Sequence, residues 1–120
     1  MKEKINLYVD DLRDCPSNFV IARNVEQAIF KLQNFQVEIL SLDHDLGTDE
    51  QGNILPTGYD LVKYICQKGL RADRIYLHTQ NPVGRENMYQ TLLSSQRRGF
   101  IDSDIKIFNY SITQDKYSEK

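Results

Sequence analysis

The chain has 120 residues, of which 40% are hydrophobic and 27% charged, a balance that fits one compact domain and excludes a disordered tail or a two-domain enzyme in this length. Fifteen Lys and Arg residues against seventeen Asp and Glu leave a formal charge of −2, so there is no electrostatic footprint for duplex nucleic acid or an anionic membrane. No apolar run approaches the roughly 20 residues of a membrane span, and Met-Lys-Glu-Lys at the start lacks a signal-peptide pattern, so the expected location is the cytosol.

In chain order, a β-rich run from Ile5 to Val9 comes first. The nine residues Asp10 to Asn18, with Pro16 and Cys15 among them, are too few for the usual helical crossover to a second strand, Phe19 to Ala22. A helix from Asn24 to about Phe35 follows, with Asn24 as N-cap and Val25, Ala28, Ile29 and Leu32 recurring at helical spacing. The third strand is Val37 to Leu42. Gly47 to Pro56 is polar and reads either as a lid over a site or as a solvated connector. A second helix runs from Thr57 to about Lys68, where Thr57 and Asp60 resemble a capping box and Leu61, Val62, Ile65 and Cys66 form the inward stripe. The fourth strand is Arg74 to His78. The third helix starts near Pro82, turns Met88, Leu92 and Leu93 inward, and stops at Gly99. A fifth strand, Ile105 to Asn109, ends a domain expected over 1–110, and 111–120 is a polar tail. The two cysteines have no second ligand at metal spacing and read as inert thiols.

Strands alternating with helices at this spacing predict a mostly parallel sheet. Ile5, Leu7 and Val9 oppose Asn6 and Tyr8; Ile75 and Leu77 oppose Tyr76 and His78; Ile105 and Ile107 oppose Lys106 and Phe108. Strands covered on both faces read as unbroken apolar runs, so this alternation predicts helices on one face only. The other face would be shielded by aromatic side chains, the tail, or a second subunit or partner protein, or would stand open to solvent with scattered surface aromatics.

Ligands of open α/β sheets bind beyond the carboxyl ends of the strands. There this chain places Asp10, Asp11 and Arg13 after the first strand, Asp43, His44, Asp45 and Gly47 after the third, His78, Thr79 and Asn81 at the fourth, and Asn109 at the fifth. Clustered carboxylates repel unless a cation or proton lies between them, which suits Mg²⁺, and Asp10, Asp11, Asp43 and Asp45 are the candidates to bind it or to orient the imidazoles. His44 and His78 are the candidate acid and base, one imidazole holding a proton while the other accepts one. Thr79, Asn81, Gly84, Arg85 and the start of the third helix form a candidate phosphate cradle. Turn and capping roles for the same residues remain the structural alternative.

Leu-Tyr-Val-Asp10-Asp11, Leu42-Asp43, Thr57-Gly58-Tyr59-Asp60-Leu61 and Leu77-His78-Thr79 resemble response-regulator receiver domains. There an acidic pair and a third-strand Asp hold Mg²⁺, that Asp accepts a phosphoryl group, and a Ser or Thr ends the fourth strand. Asp10, Asp11, Asp43 and Thr79 match those places; where receivers carry a Lys after the fifth strand, this chain has Asn109-Tyr110. Asp10-Asp11-Leu12-Arg13, Ser41-Leu42-Asp43-His44-Asp45-Leu46-Gly47, Thr57-Gly58-Tyr59-Asp60 and His78-Thr79-Gln80-Asn81-Pro82-Val83-Gly84-Arg85-Glu86-Asn87-Met88 look like the cyclic-phosphate-processing receiver-like domains. The resemblance implies a five-stranded flavodoxin-like sheet of order 2-1-3-4-5 with the first and last helices reduced or missing. It also implies a small phosphorylated ligand, such as a 2′,3′-cyclic nucleotide or an RNA end, with Arg13, Asp60, Asn87 and Asn109 in support. Three functions stay open: a metal-assisted phosphoesterase, a non-catalytic signalling or binding module with Asp43 as phosphoacceptor, and a sensor that binds a cyclic nucleotide without cleaving it.

Overall fold

The computed structural model describes residues 2–112. The elements are β1 (Lys4–Val9), β2 (Val20–Ala22), α1 (Val25–Asn34), β3 (Gln36–Leu42), α2 (Gly58–Lys68), β4 (Ala72–Leu77), α3 (Pro82–Arg97) and β5 (Lys106–Phe108). The five strands form one parallel sheet in the order β2-β1-β3-β4-β5.

Local chemistry sets the helix ends where the chain predicted them. Asn24 accepts from the Gln27 amide at 2.8 Å to open α1. At α2, Thr57 Oγ1 accepts from the Asp60 amide while the Thr57 amide donates to Asp60 Oδ2, a reciprocal box that satisfies two otherwise orphaned donors. Asn81 accepts from the Gly84 amide at the head of α3, with Pro82 in the first turn. Gly69 closes α2 with a φ of 66°, a conformation that costs glycine nothing.

All three helices pack on one face. Leu7, Val9, Leu40, Leu42, Ile75 and Leu77 of the sheet meet Ala28, Leu32, Leu61, Val62, Ile65, Met88 and Leu92 of the helices in the main core. The other face carries a smaller cluster of Ile39, Tyr76 and Ile112, against which Phe19, Phe108 and Tyr110 pack. Aromatic rings, with Ile112 beside them, thus shield this face, one of the alternatives the alternation left open. A register shift of β3 against β1, between Ile5 and Asn6, pairs Ile5 with Val37 and Asn6 with Ile39. It leaves Glu38 as the extra residue, so Val37 enters the main core and Ile39 the aromatic face.

The strand bounds differ from the expectation by one or two residues. β4 begins two residues earlier than Arg74 and β5 is only three residues long. The packed part of the chain also passes residue 110: Tyr110 accepts from the Leu77 amide and Ile112 is only 1% exposed. A tail judged by its polarity hides its one aliphatic residue, which the aromatic face buries. Residues 113–120 of the expected tail lie outside the described residues. Gly47–Pro56 forms a small exposed hairpin, bridged between Thr48 and Ile54, with Asp49 accepting from the Gln51 and Asn53 amides.

Candidate functional site at the carboxyl edge of the sheet

Three residues immediately follow β1, β3 and β4, and each is pinned by its own backbone. The Asp10 amide donates to Ala22 O, the Asp43 amide to Val9 O and the His78 amide to Leu42 O, all at 3.0–3.1 Å. The sheet ladder therefore continues one residue past each strand and lines up three side chains side by side. Asp10, Asp43 and His78 each offer a ligand atom, and these atoms lie within 4.8 Å of one another. Among the described residues, two carboxylates and one imidazole thus stand where they could hold a metal ion.

The cluster is deeply set. The Asp10 and His78 side chains are 2% and 1% exposed and meet at 2.9 Å, His78 Nε2 to Asp10 Oδ2. The other ring nitrogen, Nδ1, lies 2.7 Å from Ser41 Oγ. The imidazole stacks on Tyr8, centroids 4.3 Å apart and planes 4° apart. Burial pushes the His78 pKa down and outweighs the two aspartates that would raise it, so the ring is neutral at pH 7. For Asp10 burial acts upward, but the amides of Arg13 and Leu12, both at 2.9 Å, together with His78 hold the carboxyl below its ordinary range. Asp43 is raised: burial dominates, the charge of Asp10 adds to it, and the hydrogen bond from Thr79 and the amide of His44 only partly offset them.

His44 lies elsewhere on the same edge. One residue after Asp43, it turns to the helix side, where its ring sits over Gly84 of α3; a Cβ on Gly84 would stand 2.5 Å from the ring carbons. Its Nδ1 bonds Asp45 Oδ1 at 2.9 Å, with Asn81 Nδ2 3.5 Å away. The His44 side chain is 17% exposed and Asp45 66%. His78, by contrast, belongs to the face of Tyr8, Ser41 and Tyr76. The two imidazoles thus flank Asp43 from opposite faces of the sheet, and neither nitrogen of His78 is free. The acid and base roles expected of His44 and His78 therefore fall on different sides of the sheet, because neighbouring positions at a strand end project to opposite faces.

Beside the cluster lies a cleft of about 470 Å³, lined by Arg13, His78, Thr79, Arg85, Asn109 and Tyr110 with neighbouring residues. Arg85 Nη1 donates to the Thr79 carbonyl at 3.1 Å, which aims its guanidinium along the β4–α3 connection. Two guanidinium groups, the hydroxyls of Thr79, Tyr110 and Ser111 and the carboxamides of Gln80 and Asn109 line a wall that contains no carboxylate, which is the composition of an anion site.

A family model described as cyclic-phosphate processing receiver domain matches residues 5–94. The chain belongs to this family. Neither a curated protein nor a solved structure matches it. The matched span of this receiver domain runs from β1 into α3, and so takes in Asp10, Asp43, His44, His78, Thr79 and Arg85; it stops before β5 and the cleft wall formed by Asn109 and Tyr110.

Within the receiver edge, several expected site residues take other places. Asp11 faces Gly47, whose Cβ would stand 3.0 Å from Asp11 Oδ2, and is not in the three-residue cluster. Asp45 stands outside the cluster and bonds His44, the imidazole-orienting alternative expected of it. The Gly84 amide is taken by Asn81 Oδ1 and the Arg85 amide by Asn81 O, so these two donors at the helix start are not free for an anion. Gly84 makes room for His44. Asp60 caps α2 and pairs with Lys63 at 3.4 Å. Asn87 is exposed on α3, whereas Arg13 and Asn109 do line the cleft. Two residues escaped the reading from sequence, Ser41 and Tyr8. Their signal was a polar side chain between Leu40 and Leu42, on the same parity as Tyr8 and His78.

No helix among the described residues is long and apolar enough to cross a membrane.

Proposed function

We propose that this receiver domain binds a small cyclic phosphate in the cleft at the carboxyl edge and hydrolyses it with the help of a divalent cation. The observation that carries the reading is that cleft and cluster share their boundary: His78 lines the cleft and belongs to the cluster, and Thr79 lines the cleft while hydrogen-bonding Asp43. A ligand anion drawn in by Arg13 and Arg85 would therefore rest against the cluster.

Asp10, Asp43 and His78 would hold the cation. An imidazole beside two carboxylates suits Mn²⁺ or Zn²⁺ better than Mg²⁺, which prefers oxygen ligands and retained waters. When bound, the cation supplies Lewis-acid charge at the phosphate and acidifies a water molecule. Arg85, anchored on the Thr79 carbonyl, and Arg13 bind the non-bridging oxygens in bidentate fashion. His44 is the proton-transferring residue, since Asp45 takes up Nδ1 and leaves Nε2 to accept or return a proton. Asp45 fixes that tautomer, and His78 serves to hold and not to transfer. A cleft of this volume admits a mononucleotide-sized ligand, such as a 2′,3′-cyclic nucleotide or a terminal RNA residue.

One observation favours a second reading: His44 is not among the residues lining the cleft. A domain that binds the phosphate without cleaving it would need only the arginines and Thr79. The two separate on titration calorimetry and turnover of 2′,3′-cyclic nucleotides with Mn²⁺. We expect Arg85→Ala to weaken binding at least tenfold, and His44→Ala to bind as wild type but lose turnover. Binding without turnover by the wild type selects the second reading, and no binding at all refutes both.

A further inference from the structure

We propose that Ser41 is a positioning residue whose hydroxyl lets His78 exchange tautomers when a divalent cation enters the Asp10–Asp43–His78 cluster. The inference rests on the cation reading above and adds to it a residue and a mechanism of adjustment.

The two hydrogen bonds of His78 make opposite demands. Toward Asp10, a carboxylate that can only accept, Nε2 must carry the proton. Nδ1 is then a lone pair, and Ser41 Oγ, 2.7 Å away, must donate. A cation among the three residues needs the reverse, with a lone pair on Nε2 and the proton on Nδ1, and Ser41 must then accept. A hydroxyl is both donor and acceptor and rotates about its Cβ–Oγ bond, so it satisfies Nδ1 in either state. Amide nitrogens, carboxylates and methyl groups each satisfy one state or neither.

Heavy-atom movement is not available as an alternative. The imidazole is stacked on Tyr8 at 4.3 Å with planes 4° apart, held at both nitrogens, and 1% exposed. Ser41 is fully buried in the middle of the sheet. A ring clamped in this way responds to a cation by relocating a proton and not by swinging aside. The protons balance: one leaves Nε2, one arrives on Nδ1, and the ring is neutral before and after. The same burial excludes Ser41 as a nucleophile, although Ser41, His78 and Asp10 form an unbroken chain of hydrogen bonds.

Ser41 would thus act on the cation through His78, as partners behind a metal-binding imidazole do, where their removal typically lowers affinity about 10- to 100-fold. The experiment uses the full chain with ¹⁵N-labelled histidine and Zn²⁺ alone as probe. Nitrogen shifts of His78 should report the Nε2–H form without Zn²⁺ and the Nδ1–H form at saturation. Ser41→Ala should bind Zn²⁺ about 10- to 100-fold more weakly, and Ser41→Thr, which keeps the hydroxyl, should recover most of that loss. The measurement on the wild type does not depend on how either variant folds. Zn²⁺ bound with the His78 tautomer unchanged, or bound equally well by Ser41→Ala, overturns this inference and leaves the cation reading standing. Failure of the wild type to bind Zn²⁺ at millimolar concentration overturns both.

Discussion

Gly84→Ala tests whether the place of His44 matters more than the stability of the helix that carries it. An alanine Cβ at this position would stand 2.5 Å from His44 Cγ and Cδ2 and 2.9 Å from Nδ1. Ordinary contact begins at 3.4 Å, so the ring must retreat by about 0.9 Å. A retreat of that size is enough to take the 2.9 Å bond to Asp45 out of hydrogen-bonding range, since that bond has only a few tenths of an ångström to spare. The effects on stability oppose each other. Alanine in place of glycine favours the first turn of α3 by up to about 1 kcal/mol, and overpacking costs about 1–3 kcal/mol. The net loss is about 0–3 kcal/mol, a fall in Tm of no more than about 12 °C for a chain of this length. Activity should fall as far as in His44→Ala, because the imidazole is displaced even though it is present. Calorimetry gives the first quantity, turnover of a cyclic phosphate the second, and the ring carbon signals of His44 the cause. Wild-type turnover, or an undisturbed His44 ring in Gly84→Ala, would refute the reasoning.

Stability should fall on acidification below pH 6.5 because of His78. Its folded pKa is depressed, so the unfolded chain binds a proton first, and each pH unit in the window from about 6.5 down to the folded pKa costs up to about 1.4 kcal/mol. His78→Gln should flatten that part of a denaturant-midpoint profile, and an unchanged slope would remove His78 as its source. Asp43, raised by burial beside Asp10, is a carboxylate the apo fold disfavours. Asp43→Asn should raise the melting temperature in chelator by the equivalent of about 1 kcal/mol while abolishing stabilisation by Mn²⁺, a trade of function for stability read in two thermal scans. Tyr76, 1% exposed at the centre of the aromatic face, should lose about 3–5 kcal/mol on substitution by alanine; a smaller loss by chemical denaturation would show that this face is not a second core.

What could be read from the chain were the features with local causes. Asn24, the Thr57–Asp60 box, Pro82 and Gly99 mark helix ends through bonds made within a few residues, and strand alternation reported the single helical layer because strands under helices on both faces run unbroken in aliphatic residues, whereas these alternate them with Tyr8, Tyr76 and His78. That Asp10, Asp43 and His78 meet follows from register: each is the first residue past its strand in a parallel sheet, and placing reactive residues at strand ends sufficed to bring them together. Which face each takes is a finer matter. His44 and His78 looked equivalent because both follow strands, yet one stands a single position beyond Asp43 and is turned to the opposite side. Gly84 read as an approach for phosphate because nothing near it in the chain shows that a ring from residue 44 lies upon it. Ser41 was missed for the same reason: its partner is 37 residues away, and its parity with Tyr8 and His78 tells which face it takes but not which atom it bonds.

The aromatic face has one further consequence. Where a helix would have laid a full layer over this side of the sheet, here a palisade one ring deep separates solvent from the backs of Ser41 and His78. Tyr8 belongs to both, meeting Phe19 edge-on at 6.0 Å and His78 face-on. Phe19 is thus separated from the imidazole by a single ring, and the site has an underside as well as a mouth.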